Sequence, residues 1–126
     1  MTDRTAKRQR PALRGEQTDN TVQLRGRVSS APSERTLPSG AVITTFRLSV
    51  PRARTAMTSG SNQSVDWVDC TAWSARARRT VNGWQVGDPV EVSGALRRRF
   101  LSAGAAPTTR LEVEVVSGQR RPAVAE

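Results

Sequence analysis

Apolar side chains recur at every second position through most of this chain, the period of strands that cover a core on one face. Val22, Leu24, Gly26 and Val28 alternate with Gln23, Arg25 and Arg27, which predicts a first strand. Ser29 to Gly40, with Pro32 and Pro38-Ser39-Gly40, reads as a turn-rich connection. Val42 to Val50 predicts a second strand, with Phe46, Leu48 and Val50 inside and Thr45, Arg47 and Ser49 outside; Pro51 ends it. Arg52 to Ser64 carries small polar residues and reads as a long, mobile hairpin finger.

The third strand breaks the usual rule for its outer face. In Val65 to Trp73, Val68, Cys70 and Ala72 form a small apolar inner face, while Trp67, Asp69, Thr71 and Trp73 point the other way. Two of the chain's three tryptophans thus stand where solvent is expected. At about 3.3 Å per residue the rings lie roughly 20 Å apart, too far to stack on each other but suited to different bases of one extended strand. After Ser74, Ala77, Val81 and Trp84 fall at i, i+4 and i+7, one side of a short helix ending near Asn82-Gly83, so Trp84 is assigned to the core. Val86 to Pro89 is a turn, and Pro89 suits a strand's first position. Val90, Val92, Gly94 and Leu96 are expected inside, with Arg97 and Arg99 outside. A loop from Ser102 to Thr109 leads to a last strand with Leu111, Val113 and Val115 inside. The order is three strands, a helix and two strands. That predicts an all-β fold, a five-stranded oligonucleotide/oligosaccharide-binding (OB) barrel with one short helix between strands 3 and 4.

Charge narrows the partner. The 126 residues carry a net charge of +9 with 36% hydrophobic residues, a composition of one domain with polar ends and a polyanionic ligand. Lys7 is the only lysine; arginine stacks on bases and forks onto phosphate as lysine does not, although heavy Arg and Ala use also follows genome base composition. Residues 1–19 read as a disordered basic arm of net +2, residues 20–117 as the folded domain and residues 118–126 as a short flexible tail. Without histidine, a metal-ligand cluster or a Gly-rich phosphate loop, neither an enzyme nor a cofactor or metal site is expected. The one cysteine, Cys70, excludes an intramolecular disulfide. With no membrane-spanning run or signal peptide, the chain is expected in the cytoplasm, in contact with neither membrane nor small-molecule substrate.

The same segments resemble the bacterial single-stranded DNA-binding proteins. Asn20-x-Val22-x-Leu24-x-Gly26 is similar to that family's opening strand, and Pro38-Ser39-Gly40 followed by Phe46-Arg47-Leu48 to its second. Asp66-Trp67-Val68 through Trp73 resembles the third, Gly87-Asp88-x-Val90-x-Val92-x-Gly94-x-Leu96 the fourth, and Arg110-x-Glu112-Val113 the fifth. The resemblance implies base stacking at Trp67 and Trp73, with Phe100 or Leu101 at a third stacking position. It departs near the end of the second strand, where Arg52 and Arg54 stand in place of an aromatic residue. It also implies a homotetramer. The family's main member ends in an acidic tip; this sequence ends at Glu126 without an acidic cluster and resembles a short accessory paralogue.

The reading that follows is sequence-independent binding of single-stranded DNA in replication, repair or recombination. Trp67, Trp73 and Phe100 would stack on bases, and Arg25, Arg27, Arg47, Arg52, Arg54, Arg97 and Arg99 would follow phosphates. The alternatives are an OB-fold interaction component of a primosome or replication assembly, and RNA binding; separately, Trp67 and Trp73 could belong to a subunit interface.

Overall fold

The computed structural model describes residues 18–101 and 108–122. Strands β1 (Val22–Thr36), β2 (Val42–Pro51) and β3 (Val65–Ala72) precede helix α1 (Ala75–Asn82), and β4 (Pro89–Leu101) and β5 (Thr108–Arg120) follow it. The strands close a barrel in the order β1-β2-β3-β5-β4, so the all-β, five-stranded OB architecture expected from the element order is the one observed. Neighbours run antiparallel except β3 and β5, which meet in parallel at Cys70–Val113 and Thr71–Glu114.

The alternating residues fill the interior as the pattern requires. Val28, Leu48, Cys70, Val90, Val92 and Val113 are each 2% exposed or less. Trp84 sits among them, edge-on to Phe46 with ring centroids 5.5 Å apart. Helix α1 covers the interior with Ala77 and Val81. It starts cleanly because the Ser74 hydroxyl accepts a hydrogen bond from the Ala77 N–H at 3.0 Å, and it stops at Gly83, whose N–H donates to the Thr80 carbonyl while the Trp84 N–H donates to that of Val81. Two strand glycines allow the barrel to close: a methyl group at Gly26 would overlap the Ser49 carbonyl oxygen, and one at Gly94 that of Glu114.

Three expectations change. Ser29 to Thr36 is strand, continuous with β1, where a turn-rich connection was expected. The first half of β1 pairs with β4 and the second with β2, and irregularities between Val28 and Ser33 re-aim the strand between them. Pro32 lies inside that irregular stretch, where a missing N–H removes no ladder bond. Leu96 and Leu111, expected inside, are 44% and 51% exposed. The cause is the length of the neighbours: β1 leaves β4 at the Val22–Gly94 pair, while β4 and β5 continue as a two-stranded arm to Leu101–Thr108. Beyond the barrel wall, no strand among the described residues lies opposite the face that pointed inward. Finally, β5 runs to Arg120, past the end expected at 117.

The loop expected at Ser102 to Thr109 lies outside the described residues except for Thr108 and Thr109, which begin β5; the expected basic arm lies outside them up to residue 17. No helix among the described residues is long and apolar enough to cross a membrane.

Candidate nucleic-acid interface

Register decides which side chains share the outer face with the tryptophans. On β2 and β3, Ser49 is paired with Trp67, Arg47 with Asp69 and Thr45 with Thr71. Arg27 on β1 is paired with Ser49, and Glu114 on β5 with Thr71. Partners in a ladder point to the same side, so Arg25, Arg27, Arg47, Arg97 and Arg99 all lie on the face of Trp67 and Trp73. Trp67 is 56% exposed and Trp73 38%. Trp73 stands just past β3 and just before the Ser74 cap, and its carbonyl accepts from Arg78 Nε at 3.2 Å. The helix start thus fixes the backbone beneath this ring.

Phe100, on the β4–β5 arm, is 75% exposed and lines a 450 Å³ groove together with Trp73, Arg97, Arg99, Glu112 and Glu114. Leu101 ends β4, and its side chain lies outside the described part. At the other end of the face, a 590 Å³ groove is lined by Arg25, Arg27, Ser49, Val65 and Arg121.

Most of the arginines named from the sequence are not free. Arg47 pairs with Asp69 at 3.2 Å, Arg97 with Glu114 at 3.0 Å and Arg99 with Glu112 at 2.9 Å. Glu112 is 3% exposed and also accepts from the Thr71 hydroxyl, so one buried carboxylate joins β3, β4 and β5. Such an ion is tolerated in the interior only when its oxygens are satisfied, as these are. Arg52 and Arg54 turn into the connection between β2 and β3. The Arg52 N–H closes its base on the Ser64 carbonyl at 2.8 Å, its guanidinium reaches Asp66 at 3.2 Å, and Arg54 donates to the Ser59 carbonyl. In the second groove, Arg27 donates to the Gly87 carbonyl at 2.9 Å, and Arg25 faces Glu91 across the ladder but among the described residues makes no hydrogen bond to a carboxylate.

Sequence reasoning missed Glu112, Glu114 and Arg121. The first two were visible in principle, since the alternation that puts Val113 and Val115 inside puts them on the outer face. Arg121 had no signal, because it reaches the groove only through the pairing of β5 with β4, extended by its N–H donating to the Pro89 carbonyl at 2.7 Å.

Cys70 is 1% exposed, and burial, with help from Asp69 and Glu112, pushes its thiol up to about 12. It is a small core residue and not a nucleophile. No group of three His, Cys, Asp or Glu side chains among the described residues is placed to hold a metal ion.

The sequence model of the Single-strand binding protein family matches residues 19–120. Single-stranded DNA-binding protein A of Bacillus subtilis (strain 168) is 35% identical over 80 residues, 64% of this chain and 45% of that protein. Single-stranded DNA-binding protein 2 of Listeria innocua is 31% identical over 64% of this chain and 49% of its own length. The chain therefore spans about half the length of the curated relatives it matches. Among solved structures, the fold is similar to a small single-stranded DNA-binding protein from Streptomyces coelicolor (TM-score 0.58, 23% identity, 83% of this chain and 96% of that one). It is also similar to the Plasmodium falciparum SSB in complex with ssDNA (TM-score 0.59, 23% identity, 82% of this chain and 94% of that one). At these identities the structures speak for the fold alone. The family match over nearly the whole described length carries the assignment: the chain belongs to the single-strand binding protein family.

Proposed function

We propose that this protein binds single-stranded DNA without sequence readout along the outer face of β2, β3 and the β4–β5 arm. The observation that carries this reading is the pair of exposed tryptophans on one side of β3, with arginines from β1, β2 and β4 on the same side. Trp67, Trp73 and Phe100 stack on bases. Every base has a π-face, so stacking tolerates any sequence, at about 1–3 kcal/mol per base. Duplex DNA hides those faces and is disfavoured. Arg25 and Arg27 meet phosphate directly, whereas Arg47, Arg97 and Arg99 do so by sharing or exchanging a carboxylate partner. Coating of this kind protects single strands exposed in replication, repair or recombination, and the names of the curated relatives favour it over a purely structural role.

The test compares affinity for a single strand with that for the matching duplex at several salt concentrations, in the parent protein and in Trp67→Ala and Trp73→Ala. Single-strand preference that weakens in both variants is expected. Equal affinity for duplex, or variants that dissociate an oligomer and keep their affinity, would replace this reading with the interface one.

A further inference from the structure

The barrel wall is thin on one side of β5. The ladder with β3 consists of Cys70–Val113 and Thr71–Glu114, and from Val115 onward no strand among the described residues pairs with that edge. Helix α1 stands beside the gap without closing it. Arg76, Ala77 and Thr80 of the helix line a groove of 470 Å³ together with Val116, Ser117 and Gly118 of the strand. None of these residues lines the Trp73–Phe100 groove or the Arg25–Arg27 groove. Near the end of β5, Arg120 donates to the Gly83 carbonyl at 2.6 Å and so ties the strand to the end of the helix.

Backbone, apolar surface and charge decide what such a groove accepts. A free strand edge carries a row of N–H and C=O groups, the template onto which an extended chain adds as a further strand. Apolar surface comes from an irregularity in β5, which holds one more residue than β4 between the Ser93–Ser117 and Gly94–Val115 pairs. That residue, Val116, is 63% exposed and lines the groove. Charge comes from helix α1, which carries three arginines and no acidic residue. Arg78 is taken by Glu34 at 3.6 Å and by the Trp73 carbonyl, whereas among the described residues Arg76 and Arg79 have no carboxylate partner. Both are exposed, and at three positions apart they are neighbours on the helix surface. Nucleic acid gains little here, because no aromatic ring lines the groove for a base to stack on. A peptide gains from all three: its backbone pairs with β5, an aliphatic side chain covers Val116, and a carboxylate meets Arg76. We propose that the β5–α1 groove docks an extended segment of a partner protein, rich in aliphatic and acidic residues, that adds as a strand to the free edge of β5. The surface is separate from the nucleic-acid face, so the partner and a single strand are held at the same time.

The probe is a fluorescein-labelled peptide that alternates valine with aspartate, titrated by anisotropy against the full chain, alone and saturated with oligo-dT. Saturable binding that oligo-dT leaves unchanged is expected. Arg76→Glu should weaken it about tenfold, the loss of one hydrogen bond between charged groups. Val116→Ser should weaken it less, and Arg35→Glu, a charge reversal at an exposed position outside the groove, should leave it nearly unchanged. A peptide of the same sequence methylated at its backbone nitrogens gives the test on unmodified protein: it keeps every side chain, cannot donate to a strand edge, and should not bind. No saturable binding of the first peptide, or full affinity of the methylated one, would overturn the proposal. So would equal losses in Arg76→Glu and Arg35→Glu, which reduce the contact to overall charge. Displacement of the peptide by oligo-dT would give the groove to nucleic acid instead. Sedimentation of the free variants covers the remaining occupant: a changed oligomeric state in Arg76→Glu or Val116→Ser would mean that a second copy of the chain fills the groove, and the proposal would fall.

Discussion

The three tryptophans divide between two regions that treat the same side chain in opposite ways. Trp84 lies 5% exposed in the barrel interior, edge-on to Phe46, with aliphatic neighbours. Trp67 and Trp73 stand on the outer face among ion pairs, 56% and 38% exposed. The interior recovers the hydration cost of its ring during folding, at about 25 cal/mol per Å² of apolar surface removed from water. The outer face does not; its apolar area stays in contact with solvent. The position of an aromatic residue relative to strand alternation, more than its identity, decides whether folding uses its surface or leaves it free, and under the proposed function the free surface is what bases would cover.

Exchanging each tryptophan for alanine sharpens that contrast most. Trp84→Ala should lower unfolding free energy by about 3–5 kcal/mol, as large core truncations do, measured by urea or thermal denaturation. Its folded fraction should keep the parent's affinity for oligo-dT. Trp67→Ala and Trp73→Ala should show the reverse, each losing about 1–3 kcal/mol of binding with the melting temperature nearly unchanged. If an outer-face variant melts like the Trp84 variant, the division between the regions is wrong.

Fluorescence tests the division without mutation. Saturating oligo-dT at low salt should quench the emission of Trp67 and Trp73 and leave that of Trp84, because a base can reach only the exposed rings. A substantial unquenched fraction is expected. Complete quenching would place Trp84 within reach of ligand and erase the contrast.

The tryptophan split was legible from alternation because each strand's inner and outer faces are fixed locally. Val68, Cys70 and Ala72 set the phase of β3, and helical spacing tied Trp84 to Ala77 and Val81. Long-range geometry left weaker traces. Nothing near Leu96 or Leu111 announces that β1 ends its pairing at Gly94 and leaves the arm uncovered. Pro32 looked like a turn because the irregular pairing that accommodates it depends on β2, a separate segment. The ion pairs were the least legible. Arg99 meets Glu112, and Glu112 meets Thr71, only through the β4–β5 and β3–β5 pairings, the second a parallel contact between segments about forty residues apart.

Those pairs set up a finer comparison among the arginines. Among the described residues Arg25 and Arg27 are hydrogen-bonded to no carboxylate, Arg25 only facing Glu91 across the β1–β4 ladder, whereas Arg47 and Arg97 each hold one. Each direct phosphate contact releases counterions and contributes about 0.7 to the slope of log K against log salt for single strands. Arg25→Ala and Arg27→Ala should each reduce the slope by about that amount. Arg47→Ala and Arg97→Ala should reduce it less, since the phosphate competes with Asp69 or Glu114 already in place. Equal losses at all four positions would mean that the pairs open freely and that the distinction has no energetic content.

The smallest expected effect concerns two further carboxylates, Asp88 and Glu91, beside β1. The Gln85 N–H holds Asp88 below its ordinary value of 3.8, with Arg120 assisting against the cost of burial. The Gln23 amide holds Glu91 below its ordinary 4.5, with Arg121 and Arg25 assisting. In both, the unfolded chain binds the proton more tightly than the folded one. Their contribution to stability is therefore present above those ordinary values and lost as pH falls below them, through the lowered folded values. Cys70 acts at the opposite end of the scale: its thiol, raised from 9.0 to about 12, favours the folded state below pH 9 and loses that contribution as pH rises toward 12. Melting temperature recorded against pH should fall on the acid side, and Asp88→Asn and Glu91→Gln should each flatten that fall. Both carboxylates lie at the surface, their side chains 25% and 15% exposed, where water and salt screen them, so the change should be slight and should shrink in high salt. An acid limb unaltered in both variants would remove Asp88 and Glu91 from the pH response.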